Sequence, residues 1–494
     1  MAKRLFLFGI GGTGARVVKS LTFMLASGCK LPGGVKTLVP ILIDPDTANG
    51  DLNRTKDILR LYQSIRANVD KPDDFFGQEI KTINELTQDN TDVNTEFFQF
   101  ELKGAHDNKF KEYIGYNSLD DKDKHFLSLL YSSKNLDSDL DVGFKGNPHM
   151  GSIVLNQFTE SDDFKKFAQS FTSGDAIFIV NSIFGGTGAA GFPLLLNTLR
   201  HENAQIQNSI QYRNAPVGGI TYLPYFKVEN DEESEINSDA FEEKAKMALN
   251  YYNRTIIKEE KLNSLYFLGH GEAPSVYENH EGKNEQKNKA HFLEVAGALA
   301  VFDFCKELNQ HLVENGKAVN GTTIKEFGIE RDQDVITFND LNSSHEKLLK
   351  KNLTRYRFFS LYLSKGLSRA LGVAGWTKNG KLILKDDRSL LDKEFFDGAE
   401  YRNYIKAFCD HFDKWIDELN RNKPSFSPFK KYVSPGNSLD LLSTKERLSK
   451  DGFKELDKHN AFAMDKINSA GAVTQLIKMF QFTTKEVLEK NKLI

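Results

Sequence analysis

Residues 4–26 read RLFLFGIGGTGARVVKSLTFMLA, and this stretch decides the fold. The apolar run at 4–8 predicts a buried strand, and residues 15–26 carry apolar side chains at helical spacing. Between them lies a glycine turn, where the backbone can approach an anion and the free N–H groups of a helix start favour negative charge. The turn consists of Gly11, Gly12, Thr13 and Gly14. It predicts a phosphate-binding loop.

Further strands and helices continue this alternation. A second apolar strand covers 36–43 and ends in an acidic turn, which completes a βαβ unit with a right-handed crossover. A third strand covers 176–180 and runs into a second glycine loop, which is followed by a helix and by two more apolar strands. Strands that alternate with helices predict an α/β fold with a Rossmann-like, largely parallel sheet.

The second half of the chain has a different character. Residues 289–308 form an apolar helix with little charge in its middle, which predicts a long central helix through the interior. Beyond a glycine-containing linker the pattern is mostly helical to the end. At about 150 residues per domain, the 494 residues predict more than one domain. We place a nucleotide-binding domain at 1–312, including the central helix, and a mainly helical C-terminal domain at 313–494.

Composition excludes several classes of function. The net charge of −3 provides no field that would gather nucleic acid or an anionic membrane. No apolar stretch approaches the roughly 18 residues of a membrane span, which predicts no direct membrane insertion. The three scattered cysteines form neither a disulfide framework nor a metal-binding pair, and no metal-ligand spacing is present. We expect a cytoplasmic protein without a nucleic-acid partner.

The first glycine loop alone leaves its ligand open. It is not a P-loop, because no Lys-Ser or Lys-Thr follows the last glycine. It satisfies the dinucleotide fingerprint G-x-G-x-x-G, although Asp44, the first acidic residue after the second strand, lies farther on than the usual spacing of about 20 residues. A tight turn without any ligand is the remaining interpretation.

The second glycine loop points to one ligand shared by two loops. It follows the first by about 170 residues, and two helix N-termini of this kind can converge on one polyphosphate. The segment FGGTGAAG at 184–191 resembles the G-G-G-T-G-[ST]-G signature of the tubulin/FtsZ superfamily, with Phe184 in place of the first glycine and Ala189 in place of the hydroxyl residue. The loop residues that this resemblance assigns to the nucleotide are Gly185, Gly186, Thr187, Gly188 and Ala189.

Other segments resemble the same superfamily in the same order. The first glycine loop is similar to its first phosphate loop, and ILIDPDTAN at 41–49 resembles an FtsZ strand that ends in an acidic turn, here Asp44 and Asp46. GNPHMG at 146–151 resembles the A-D-P-E-V-G loop that senses the terminal phosphate. The residues assigned there are Asn147, Pro148 and Gly151. A plain turn is the alternative interpretation of the two aspartates.

Two more residues are assigned to the ribose and the base. LPYF at 223–226 followed by Glu229 resembles the family stretch whose glutamate holds the ribose, and the central helix implies Asn288 as the base-reading asparagine. Each has an alternative interpretation. Glu229 begins an acidic run that suits a solvated loop, and Asn288 is a residue type that commonly starts a helix.

Hydrolysis in this superfamily is completed by a loop of the neighbouring subunit, with the pattern N-x-D-F-x-x-D. The most similar segment here is VITFNDL at 335–341, in which only Asp340 matches an acidic position. This implies a weakened or absent GTPase with Asp340 as its catalytic residue. The alternative is that Asp340 caps the helix that follows.

The resemblance as a whole implies a divergent bacterial tubulin-like protein. It would bind GTP or GDP, with Mg²⁺ on the phosphates, and would assemble head to tail into filaments that hydrolyse GTP slowly. Two alternatives remain. One is a nucleotide switch that does not polymerise and docks a protein partner through its C-terminal helices. The other is a Rossmann-type NAD-dependent oxidoreductase that uses the first glycine loop.

Overall fold

The computed structural model of the chain describes residues 3–87, 108–140, 144, 147–157, 161–230, 238–270, 275–280, 282–326, 333–377, 390–443, 450–464, 467 and 471–494. A seven-stranded sheet lies at its centre. The strands of the chain are β1 Lys3–Ile10, β2 Val35–Ile43, β3 Glu79–Ile80, β4 Ala176–Ser182, β5 Val217–Tyr222, β6 Phe226–Val228, β7 Ser264–Leu268, β8 Ser275–Tyr277, β9 Val313–Glu314, β10 Lys317–Ala318, β11 Thr323–Glu326, β12 Val335–Ile336 and β13 Ser425–Phe426.

The order of the central sheet is β11-β7-β5-β4-β1-β2-β3, and every neighbouring pair is parallel. Short pairs outside it join β6 to β8, β9 to β10 and β12 to β13. The middle strands are apolar on both faces because helices cover both sides, as is usual for parallel sheets. Along β1, Leu5 and Leu7 face one core, whereas Phe6 and Phe8 face the other. The predicted α/β fold with a parallel sheet is confirmed.

The helices form a layer on each face of the sheet. Their bounds are α1 Gly11–Ala26, α2 Gly50–Ala67, α3 Ile83–Thr87, α4 Phe110–Tyr113, α5 Asp121–Leu130, α6 Ser133–Leu136, α7 Pro148–Leu155, α8 Asp162–Ser170, α9 Gly186–Arg200, α10 Ser209–Arg213, α11 Phe241–Tyr252, α12 Phe292–Lys306, α13 Ser343–Leu361, α14 Leu367–Ala370, α15 Lys393–Asp397, α16 Ala407–Arg421, α17 Gly452–Met464 and α18 Ala472–Lys490. Helices α7, α8 and α9 cover one face. Helices α1, α2 and α12 cover the other, together with the C-terminal helices.

The predicted central helix is α12, which is buried over most of its length. Its apolar residues occur around the whole helix because sheet and C-terminal helices enclose it. The C-terminal region is mainly helical, as predicted, and α13, α16 and α18 share a core with α1. The edge strand β11 lies at Thr323–Glu326, beyond the predicted boundary at residue 312. Among the described residues, no helix has the length and the apolar character needed to cross a bilayer.

Candidate functional site

The order of the sheet places both glycine loops together. Strand order reverses between β1 and β4, and in open α/β sheets ligands bind at the carboxyl ends of the strands at such a point. Helix α1 begins at Gly11, directly after β1, and α9 begins at Gly186, four residues after β4 ends at Ser182. Two helix N-termini therefore open side by side at the position where this type of sheet binds ligands.

The two loops lie close together, with room between them for little more than a methyl group at Gly11. A Cβ placed on Gly11 would lie 3.6 Å from the Cβ of Thr187 and 3.7 Å from the backbone nitrogen of Gly188. Gly11 has a φ of +72°, a backbone conformation that glycine adopts without strain. A single anion can therefore contact the N–H groups of both helix starts, which is the arrangement that a polyphosphate needs.

A cleft at this point contains most of the predicted binding residues. The predicted residues that line it are Gly11, Gly12, Thr13, Asp44, Asp46, Gly185, Gly186, Thr187, Gly188 and Asn288. Two loop residues, Gly14 and Ala189, are buried just behind this surface. A Cβ on Gly14 would approach the carbonyl carbon of Gly9 to 2.5 Å, so glycine is required there by the packing of α1 on β1.

The segment assigned to the terminal phosphate forms the start of α7. Pro148 is in its first turn, Asn147 is the N-cap residue, and Gly151 packs against Ala190 of α9. The backbone nitrogen of Asn147 donates to the carbonyl of Phe144, which lines the cleft. Residue 146 of the predicted loop lies outside the described residues. The segment thus packs on α9 and contacts Phe144 of the cleft lining, whereas Asn147, Pro148 and Gly151 are not among the described residues that line the cleft.

Asp44 and Asp46 are buried and line the cleft beside the first loop. The carboxylate of Asp44 accepts from the backbone nitrogen of Asp46 at 3.1 Å, and that of Asp46 accepts from the backbone nitrogens of Ala48 and Lys283. Burial, and then the negative charge of Asp46, raise the pKa of Asp44 to about 8. The two carboxyl groups therefore shape the turn and also present acidic oxygens to the cleft.

Two predicted residues lie elsewhere on the surface. Glu229 is exposed after β6, and its backbone nitrogen donates to the carbonyl of Tyr277. Asp340 is also exposed, and its carboxylate accepts from the backbone nitrogen and the hydroxyl of Thr337 at 2.7 and 2.8 Å. Neither is among the described residues that line the cleft. Asp340 caps its own short turn, and Asn342 caps α13.

Asn288 reaches the cleft from an extended segment. It lies four residues before α12, whose N-cap is His291, so the interpretation of Asn288 as a helix cap is wrong. Asp51 accepts from its backbone nitrogen at 3.3 Å, and Arg54 donates to its carbonyl at 2.7 Å. Both backbone groups of Asn288 are therefore held by charged side chains of α2.

A buried ion-pair network beneath the first loop was missed from the sequence. Arg16 lines the cleft and contacts Asp51 at 2.7 Å and Glu294 at 2.6 Å. The same guanidinium donates to the hydroxyl of Thr13 at 3.2 Å and to that of Tyr225 at 2.8 Å. An arginine inside an otherwise apolar helix start was the available signal, because a buried charge requires partners.

An aromatic wall forms another part of the cleft. Phe184, which replaces the first glycine of the family signature, packs with Phe226 and Phe241 at ring-centroid distances of 5.4 and 5.0 Å. All three rings line the cleft. The site thus combines two helix N-termini with glycine-rich starts, buried carboxyl groups and an apolar wall.

Fold and site together define the class of protein: a Rossmann-like α/β protein with two glycine loops at the switch point of its sheet. No family model and no curated protein sequence matches the chain. Solved structures that resemble it include CetZ2 from Haloferax volcanii, a GTPγS-bound protofilament (13% identity, 65% of this chain and 64% of that one, TM-score 0.30).

Two further resemblances are CetZ1 from Haloferax volcanii, a GDP-bound monomer, and TubZ from Bacillus thuringiensis serovar israelensis, a GTPγS-form protofilament. For CetZ1 the identity is 14%, the covered shares are 55% of this chain and 54% of that one, and the TM-score is 0.26. For TubZ the identity is 12%, the covered shares are 84% of this chain and 82% of that one, and the TM-score is 0.26. CetZ and TubZ are tubulin/FtsZ-family proteins. The likeness is distant, and this chain spans 64% and 54% of the two CetZ structures.

Proposed function

We propose that the chain binds a guanine nucleotide, GTP or GDP, with its phosphates over Gly11–Gly14 and Gly185–Gly188. The observation that supports this most strongly is the proximity of the loops, where a Cβ on Gly11 would come within 3.7 Å of Thr187 and Gly188. A single strand-to-helix loop suits many anions, whereas two neighbouring loops suit an extended polyphosphate. The nucleoside then occupies the part of the cleft between Asn288 and the aromatic wall, with Asn288 as the base-reading residue.

Mg²⁺ on the phosphates is part of this proposal. Asp44 and Asp46 offer the carboxylate oxygens that Mg²⁺ prefers, beside the loop where the phosphates would lie. Burial, and then the negative charge of Asp46, raise the pKa of Asp44, and a divalent cation would favour the charged form of both carboxyl groups. When bound, the metal would offset phosphate charge, and Asp44 would release its proton.

The proposed assembly is head to tail, with slow hydrolysis completed by the neighbouring subunit. The motif resemblance supports this part of the proposal, and so does the exposure of Asp340, which leaves its carboxylate accessible to a second copy. CetZ2 and TubZ are described as GTPγS-bound protofilaments, the type of assembly proposed here.

A matched pair of glycine variants tests the phosphate site. A Cβ on Gly12 would meet nothing closer than the Arg16 guanidinium at 3.4 Å, so Gly12→Ala should fold and place a methyl group between the first loop and Arg16, both of which line the cleft. We expect its affinity for GTP and GDP in calorimetry to fall about 10-fold or more, since the backbone can no longer approach the anion. The control is Gly436→Ala, where an added Cβ meets nothing within 4 Å. Unchanged affinity of Gly12→Ala would contradict the proposed site.

A nicotinamide dinucleotide is the second candidate ligand. It is favoured by one observation: Asp44 directly follows β2, where Rossmann enzymes hold the ribose of NAD. The same titration therefore includes NAD and ATP. Tight binding of NAD with none of GTP would replace the first proposal by the second.

A further inference from the structure

A chain of buried charges joins the cleft to α16, a helix of the C-terminal region. Arg16 contacts Asp51 at 2.7 Å, Asp51 contacts Arg54 at 2.8 Å, and Arg54 contacts Glu418 of α16 at 2.8 Å. The exposed fractions of these four side chains are 2%, 0%, 10% and 11%, in that order. Ion pairs shielded from water interact strongly, so a change at one end affects the position of the next member.

One end of this chain belongs to the cleft itself. Arg16 lines the cleft and donates to the hydroxyl of Thr13 in the first glycine loop. Asp51 and Arg54, in the middle of the chain, hold the backbone nitrogen and carbonyl of Asn288. The same charges therefore position a residue beside the phosphates and the residue assigned to the base.

The other end of the series of charges, Glu418 on α16, contacts the segment that carries Asn288. Glu418 accepts from the backbone nitrogen of Ala290 at 2.9 Å, and Asn422 donates to the carbonyl of Ala290. Helix α16 also packs on α1, where the indole of Trp415 donates to the hydroxyl of Ser20 at 3.2 Å. Thus α16 contacts both the helix that begins with the first loop and the segment that carries Asn288.

From these contacts we infer that Glu418 is a positioning residue for the nucleotide cleft and that α16 regulates nucleotide affinity. The inference rests on the proposed function. Without the negative charge of Glu418, the guanidinium of Arg54 has one ionic partner fewer. Arg54 then holds Asp51 and the backbone carbonyl of Asn288 less firmly. Coupling of this kind is reciprocal, so a bound nucleotide also tightens the docking of α16.

The test compares two variants of α16. Glu418→Gln removes the last charge of the ion-pair series that begins at Arg16, and it keeps the shape of the side chain. The control is Asp413→Asn. Asp413 also lies on α16 and forms an ion pair, with Arg357, but that pair is not part of the series of charges that leads to the cleft. We expect the dissociation constant of GTP, measured by calorimetry with Mg²⁺, to rise about 10-fold in Glu418→Gln and less than about 2-fold in Asp413→Asn.

A second measurement on the unaltered chain needs no variant. GTP should slow backbone hydrogen exchange in α16, residues 407–421, relative to the nucleotide-free chain. Equal GTP affinity of the wild type and Glu418→Gln, equal weakening by both variants, or unchanged exchange in α16 would overturn the inference and leave the proposed function standing. A wild-type chain that binds no guanine nucleotide would overturn the proposed function, and the inference with it.

Discussion

The two glycine loops face one cleft but are supported by opposite kinds of interaction. Behind the first loop, Arg16 forms buried ion pairs with Asp51 and Glu294. Behind the second loop, Phe184 packs within a cluster of aromatic rings. A buried ion pair is most sensitive to the loss of a charge, whereas an aromatic cluster is most sensitive to the loss of volume. Two similar glycine loops can therefore be supported by charge or by packing, and they should respond differently to substitution.

The largest expected effect is at the first loop. Arg16→Met keeps an unbranched apolar stem but leaves Asp51 and Glu294 without their shared cation, which should lower the free energy of unfolding by about 3–5 kcal/mol. Urea denaturation measures this loss. Arg60→Met is the control, because its pair with Asp57 is exposed and should be worth less than about 1 kcal/mol. Equal losses in both variants would remove the contrast between the loops.

The stability of the fold should depend on pH through Asp44, which lies beside the first glycine loop. The folded pKa of Asp44, about 8, exceeds its unfolded value of about 4, so the folded chain holds this proton more tightly. The resulting stability is fully present below about pH 4 and is lost as the pH rises through about 8. Asp44→Asn should abolish this loss, on the order of 3–4 kcal/mol between pH 5 and 8. Urea denaturation across that range checks it, and identical pH profiles for variant and wild type would refute the assignment to Asp44.

The second loop should respond to a change of volume. Phe184→Leu removes part of the ring cluster without introducing a polar atom, and we expect a loss of about 1 kcal/mol. The loss should be independent of salt, unlike that of a variant that breaks an ion pair. Phe126→Leu serves as the control, because Phe126 is largely exposed. A salt-dependent loss for Phe184→Leu would show that packing is not what supports this loop.

The smallest effect is expected at the other departure from the family signature. Ala189→Ser restores the hydroxyl that the signature carries, yet Ala189 is buried behind the cleft rather than lining it. Its affinity for GTP should stay within about 2-fold of the wild type, because a backbone N–H already serves the anion at each helix start. A much larger gain in calorimetry would mean that the side chain at this position reaches the ligand.

The sequence predicted the sheet, the central helix and both glycine loops, because these depend on local patterns of apolar residues and glycines. It could not predict the ion-pair network, because Arg16 is 35 residues from Asp51 and 278 residues from Glu294. Glu229 and Asp340 were assigned by the order of motifs along the chain, and their side chains lie outside the described lining of the cleft. Motif order locates a loop, whereas the direction of a side chain depends on partners such as Thr337 that the motif does not include.

The packing of Trp415 against α1 has a spectroscopic consequence. Trp415 and Trp376 are the two tryptophans of the chain, and the Trp415 indole N–H is bonded to Ser20 on the helix that starts with the first glycine loop. Indole emission depends on the polarity around the ring and on the partner of its N–H group. With Trp376 replaced by phenylalanine, the chain would carry a single tryptophan, which lies on α16 and packs against α1. Stopped-flow emission could then time the arrival and departure of a nucleotide without any attached dye.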